Sequence, residues 1–424
     1  MKILNACKVG MALTAAAFLG ITTAQRADAI SFSLTDLGTL GGNYIYPADI
    51  NEYGQVVGSS NTAEGGNRAF LWDNSSGMIN LGTLGGNSSY ARAINNYGQV
   101  IGGSSTADGQ ARAFFWDKSS GMSDLGTLGG SFSIAFAIND YGQVVGFSNT
   151  VDGQNGGFFW EKSSGMIDLG TLGGNSSYPY AINEYGQVVG SSSTADGQGR
   201  AFLWEKSSGM VNLGTLGGNS SGATAINNYG QVVGSSSTAD GQGRAFLWEK
   251  SSGMVNLGTL GGNSSYPYAI NKYGQVIGSS ATADEQSRAF FWEKSSGMID
   301  LGTLGGNFSY VRAINDYGQV VGFSYTADGQ SRPFFWEKSS GISDLNNLVS
   351  APDWILYEAS DINNAGQIVG RGVYNGQTRA FLLTPNTSKS VPEPSSALAF
   401  LALGAVGAGA AFRQRQQQDA SSRN

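Results

Sequence analysis

Residues 175–213 read NSSYPYAINEYGQVVGSSSTADGQGRAFLWEKSSGMVNL. Four apolar runs are separated by turn signals: Tyr180-Ala181-Ile182, Gln187-Val188-Val189-Gly190, Ala201-Phe202-Leu203-Trp204 and Met210-Val211-Asn212-Leu213. Tyr-Gly, Asp-Gly and Ser-Gly pairs mark the reversals, because glycine adopts positive φ without steric cost. The Phe-Leu-Trp run is continuous rather than alternating, which predicts a strand covered on both faces.

The unit recurs along the chain. Its closing string, Leu-Gly-Thr-Leu-Gly-Gly, begins at Leu37, Leu81, Leu125, Leu169, Leu213, Leu257 and Leu301, a spacing of 44 residues. A phosphate-cradling loop is needed once, and is followed by Lys and then Ser or Thr; neither holds here. Four short antiparallel strands in about 44 residues match the blade of a β-propeller. The glycines then lie where the chain leaves the outermost strand of one blade and crosses to the innermost strand of the next. Trp72, Trp116, Trp160, Trp204, Trp248, Trp292 and Trp336 are expected to pack between blades.

The innermost strand type occurs eight times, at Ile50, Ile94, Ile138, Ile182, Ile226, Ile270, Ile314 and Ile362. The fourth-strand type also occurs eight times. Its first copy, residues 32–37, precedes every other strand, and the last unit has no fourth strand after Leu383. An N-terminal strand that completes the last sheet removes its open edge. The expected fold is therefore all-β, a closed eight-bladed β-propeller over residues 30–385, with an open superhelix as the alternative.

Both ends of the chain read as addresses. Lys2 and Lys8, an apolar stretch and the pair Ala27 and Ala29 at an A-x-A cleavage site mark residues 1–29 as a signal peptide. Residues 386–395 form a linker, residues 396–412 an uncharged transmembrane helix, and residues 413–424 a basic cytoplasmic tail beginning with Arg413 and Arg415. Val391, Pro392, Glu393 and Pro394, followed by the apolar helix and the arginines, resemble the PEP-CTERM sorting signal. That resemblance implies an exosortase-type sorting protease as partner and transient anchoring in the inner membrane. It also implies secretion to the cell surface or extracellular matrix of a Gram-negative-type bacterium.

The repeats in turn resemble the HAF family of extracellular repeats. The hairpin matches at residues 182–190, and at residues 94–102 with Ile101 in place of the second Val. The family's His is replaced by Arg68, Arg112, Arg200, Arg244, Arg288, Arg332 and Arg379, and by Gly156 in the third unit. The resemblance implies an extracellular location and transfers no activity.

Composition narrows the chemistry. There is no histidine, which removes the commonest general base and transition-metal ligand, and the single cysteine, Cys7, lies in the leader. Between the two ends stand 18 basic and 28 acidic residues, a net of −10 that disfavours nucleic acid. Asp108, Asp196, Asp240, Asp284 and Asp328 recur in Thr-Ala-Asp loops, too few acids per loop for Ca²⁺. No metal and no cofactor are expected. Arg92, Lys272, Glu285, Arg312, Asp353, Glu358 and Arg371 depart from the repeat but spell no acid–base or nucleophile set. Tyr46, Tyr90, Tyr178, Tyr266 and Tyr310 follow the crossings and are the expected ligand-binding residues, suited to sugars or peptides. The expected function is non-enzymatic, structural or adhesive, toward extracellular polysaccharide or protein. The alternative is a secreted propeller enzyme acting on glycans as a lyase or glycosidase.

Overall fold

The computed structural model describes residues 30–386. The signal peptide with Ala27 and Ala29, the sorting string Val391–Pro394, the expected transmembrane helix and the tail with Arg413 and Arg415 lie outside the described residues. Among the described residues there are strands and one 3₁₀ turn, Leu345–Asn347, and no α-helix.

Thirty-two strands form four-stranded antiparallel sheets that follow one another in chain order, an all-β arrangement consistent with a β-propeller. We number the repeats as units 1 to 7 at residues 41–80, 85–124, 129–168, 173–212, 217–256, 261–300 and 305–344; unit 8 covers 354–385 together with the N-terminal strand. Unit 4 is representative: Gly173–Ile182, Val188–Thr194, Gly199–Glu205 and Gly209–Asn212 pair in that order. A single parallel bridge, Asn155 to Ser176, joins units 3 and 4.

The first strand begins earlier than the apolar pattern indicates. It starts at Gly173, inside the Leu-Gly-Thr-Leu-Gly-Gly string. The reason is polar: Asn175 and Ser176 donate their backbone N–H groups to Ser193 Oγ at 2.9 and 3.0 Å, so the chain follows the second strand before any apolar side chain enters the core. Gly190 on the second strand lies so close to the first that a Cβ there would overlap the Tyr178 carbonyl oxygen. Only glycine permits that approach.

The core lies between consecutive sheets. Val57, Ala69 and Leu71 of unit 1 pack with Ala91, Val100 and Phe114 of unit 2, and the other junctions repeat the pattern. The third strand is covered on both faces as expected; Phe202 is fully buried. The tryptophans pack between units: Trp160 lies 5.3 Å from Phe115 and Trp204 5.4 Å from Phe159.

Polar side chains stitch the units together. Ser177 Oγ accepts from Gly157 N of the preceding unit at 2.9 Å. Asn51 Nδ2 donates to Asn95 O, and the same bond links Asn95, Asn139, Asn183, Asn227, Asn271, Asn315 and Asn363 in turn, each at 3.0 to 3.1 Å. Asn363 then donates to Asn51 O at 3.0 Å, so the run of bonds returns to unit 1. In unit 8 the strand Phe32–Asp36 pairs along its whole length with Gln377–Pro385 and takes the fourth-strand place.

Candidate functional site

Side chains alternate along a strand, so the first strand of each unit shows one face to the preceding unit and one to the following unit. Ala91 packs on unit 1, Arg92 looks toward unit 3, where its Nε donates to Phe136 O at 3.3 Å, and the Tyr90 ring lies against Gly103 of its own unit. Tyr46, Tyr90, Tyr178, Tyr266 and Tyr310 therefore stand within strands on the inner side of the repeat, not on loops as the sequence pattern had them. The displacement follows from the early start of the first strand.

Their surroundings differ. Tyr90 and Tyr266 are 38% and 46% exposed. Tyr178 Oη accepts from Asn155 Nδ2 at 2.7 Å, and its ring meets Phe147 edge-on at 5.5 Å. Tyr310 lies 5.0 Å from Tyr268 and 5.5 Å from Phe323, and Tyr46 lies under the Arg371 guanidinium at 4.7 Å. This wall of phenols includes Tyr268, whose hydroxyl burial pushes up to about 12. It offers aromatic faces and hydroxyl donors.

Three residues that depart from the repeat meet on this wall. Glu358 and Arg371 are cross-strand partners in unit 8, and Arg312 reaches in from unit 7. Arg312 Nη2 donates to Glu358 Oε1 at 3.2 Å; Arg371 donates to Oε2 through Nε at 2.9 Å and through Nη2. Burial pulls the Arg371 guanidinium down, and the Glu358 carboxylate outweighs it, so the proton is held more firmly than usual. Each residue was visible as a departure; their meeting was not, because Arg312 and Glu358 belong to different units. Lys272, also a departure, pairs instead with Asp316 at 3.1 Å.

A second asymmetric pair was missed altogether. Asp49 and Asp361 occupy the position that is Ala in units 2 to 7, at Ala93, Ala137, Ala181, Ala225, Ala269 and Ala313. Comparing copies position by position was the available signal. Ile50 N donates to Asp49 Oδ1 at 2.9 Å and to Asp361 Oδ2 at 3.2 Å, which draws the two carboxyls together across the junction of units 8 and 1. Burial raises both above the ordinary aspartate range, and the neighbouring Asp49 carboxylate raises Asp361 further. Both directions favour the neutral form, more strongly at Asp361 than at Asp49.

A carboxyl whose folded pKa is raised binds its proton better when folded. Its stabilisation is complete below the unfolded aspartate value of about 3.9 and is lost as pH rises through the folded value. Asp361→Asn should keep this place neutral at every pH, while Ile50 N keeps its bond to Asp49. We expect the variant to melt higher than the wild type by a few degrees at pH 8 and to match it at pH 4. Scanning calorimetry across that range checks this; parallel curves for the two proteins would contradict it.

The Thr-Ala-Asp loops are self-contained turns. Thr106 Oγ1 donates to Asp108, and the same bond recurs at Asp196, Asp240, Asp284 and Asp328, lowering each carboxyl. Among the described residues no acidic group of metal-binding size is found. The arginines near the start of the third strands also have structural partners: Arg68 Nη1 donates to Asn87 O at 2.5 Å, and Arg112, Arg200 and Arg244 reach the equivalent carbonyls of the following units.

Sheets in series, an aromatic inner wall and an exported end define an extracellular repeat protein. Residues 390–416 match the model of the PEP-CTERM protein-sorting motif, so the chain carries a signal for sorting and cell-surface export. No curated protein matches the sequence. Similar solved structures include the BP39L lectin from Burkholderia pseudomallei, at 10% identity and TM-score 0.42 over 74% of this chain and 97% of that one. The β-propeller domain of the Trilobed protease from Pyrococcus furiosus is similar at 9% identity and TM-score 0.44, over 82% of this chain and all of that one. A puromycin-hydrolysing peptidase from Mycobacterium tuberculosis is similar at 12% identity and TM-score 0.48, over 82% and 61%.

Proposed function

We propose that the chain is a surface protein of the HAF-repeat type, released from a transient inner-membrane anchor by an exosortase. Its repeats form a closed eight-bladed propeller with a structural or adhesive role toward extracellular polysaccharide. The return of the asparagine bonds from Asn363 to Asn51 supports closure. The observation that carries adhesion is repetition: Tyr46, Tyr90, Tyr178, Tyr266 and Tyr310 stand at equivalent places on the first strands of units 1, 2, 4, 6 and 7. Weak sites repeated on one body gain avidity for a polymer through effective concentration.

Tyr90 and Tyr266 are the most exposed of these five. Tyr90→Ala with Tyr266→Ala should weaken binding to the polysaccharide that the wild type captures on a glycan array, by about tenfold for two lost contacts in a multivalent set. The melting temperature should stay the same. Early melting of the double variant would assign the tyrosines to packing and remove this support. On sorting, surface material should end near Pro394; mass spectrometry that recovers Asn424 at the terminus would argue for simple anchoring.

An enzyme acting on glycans is the second reading, favoured by the two asymmetric carboxyl clusters, Asp49 with Asp361 and Glu358 with its arginines. Against it, each Asp49 and Asp361 oxygen already accepts a backbone N–H, and Glu358 is occupied by Arg312 and Arg371. Release of reducing ends from bacterial polysaccharide by the purified protein would favour the enzyme.

A further inference from the structure

The turns joining first to second strands carry a second set of tyrosines: Tyr53, Tyr97, Tyr141, Tyr185, Tyr229, Tyr273 and Tyr317. All are 68% to 77% exposed. Their backbone is fixed. In unit 5, Asn227 Oδ1 accepts from Tyr229 N at 3.0 Å and from Gln231 N at 3.1 Å, and Asn227 O accepts from Gly230 N at 3.0 Å. A large aromatic ring held on a rigid turn in water, seven times over, contributes nothing to the core. Tyrosine in such a place is suited to recognition.

Beside these rings runs a groove of 1060 Å³ crossing units 4, 5 and 6. Tyr185, Tyr229 and Tyr273 rim it, and Leu203, Val211 and Trp248 supply apolar surface. Its acceptors are positioned: Gln187 Nε2 donates to Glu205 Oε1 at 2.6 Å, and Gln231 Nε2 to Glu249 Oε1 at 2.5 Å. Elsewhere a lysine spans the equivalent gap. Lys206 reaches Glu161 at 2.6 Å, and Lys338 reaches Glu293. The groove beside Lys206 holds 510 Å³. Among the described residues no ion pair joins Lys250 to Glu205 or Lys294 to Glu249, and there the groove stays open.

We propose that this groove binds an uncharged glycan chain, a second polymer site on the face opposite the Thr-Ala-Asp loops; the proposal rests on the adhesive reading above. The chemistry selects the ligand. Pyranose rings present a C–H face to an aromatic ring and hydroxyl donors to carboxylates, which only accept. Glu205 and Glu249 outnumber Lys250 along the lining, with Lys272 paired to Asp316, so a polyanion finds no counter-charge there. The body's net of −10 repels a polyanion as well. The volume lies just above the range of about 300–1,000 Å³ for ligand pockets, more than one sugar residue fills.

The test is native gel electrophoresis of the exported protein, purified from the cell surface, through gels containing dextran, galactomannan, xyloglucan or the polyanion alginate. We expect retardation by at least one neutral polymer and none by alginate. Tyr185→Ala, Tyr229→Ala and Tyr273→Ala together should raise the apparent Kd for that neutral polymer at least tenfold without changing the melting temperature. Tyr90→Ala with Tyr266→Ala should leave part of the retardation in place. Full retardation of the triple variant, or retardation by alginate alone, overturns the groove site. Loss confined to the Tyr90 and Tyr266 variant also overturns it but keeps the adhesive reading. No retardation of the wild type by any of the four polymers removes both.

Discussion

A chain lacking residues 31–37 should melt roughly 10 °C below the intact mature protein. Phe32 and Leu37 are 2% and 3% exposed. Leu37 packs with Ile45 and Phe70 of unit 1 and with Val369 and Leu382 of unit 8, so its loss opens the junction between the two ends of the repeat. Burial of such side chains contributes about 1.5–3 kcal/mol each, and about 2 °C accompanies each kcal/mol in a chain of this length. Backbone bonds add to this. Phe32 N donates to Leu348 O at 2.8 Å, Leu37 N to Ala380 O at 3.0 Å, and Asn386 N to Ser31 O at 2.8 Å. Deletion also leaves the edge of Gln377–Pro385 unpaired, a template for association between chains. A synthetic peptide of residues 31–37, added in excess, should restore part of the loss. Equal melting of truncated and intact proteins would exclude the closed ring.

How much of this was legible follows from what hydropathy reports. Runs such as Ala201–Trp204 announce strands because their side chains are apolar and bounded by turn residues. Asn175 and Ser176 do not, since they pair through backbone and hydroxyl bonds to Ser193. The inner tyrosines were consequently assigned to loops. The pairing of the N-terminal strand with Gln377–Pro385 could be inferred from one unpaired strand type at each end, a matter of counting. Contacts between the first and last units are different. Ile50 and Asp361 lie 311 positions apart and bond at 3.2 Å, a relation no local spacing expresses. The turn tyrosines were read correctly as turn residues, but the pattern that marks a turn is silent on whether a ring beside it is covered.

The Arg312–Glu358–Arg371 cluster should resist removal of its carboxylate least of all. Glu358 is 8% exposed, and Arg371 keeps only 18% of its side-chain surface in water. Breaking a buried pair by deleting one partner costs about 3–5 kcal/mol, because the remaining charge stays buried. Arg312 is 37% exposed and recovers hydration, which reduces the figure to about 2–3 kcal/mol. Glu358→Ala should then lower the melting temperature by about 5 °C, at roughly 2 °C per kcal/mol. The repeat supplies a control. In unit 7 the corresponding cross-strand partners are Tyr310 and Phe323, with ring centroids 5.5 Å apart. Glu358→Tyr combined with Arg371→Phe copies that pair into unit 8 and removes the buried guanidinium together with its partner. The double variant should recover most of the stability that either single change loses, a coupling that a double-mutant cycle measures directly. Additive losses would mean that the three charges stand side by side without depending on one another. Recovery would mean that the last unit carries an ionic pair where unit 7 carries an aromatic one, at little cost to the fold.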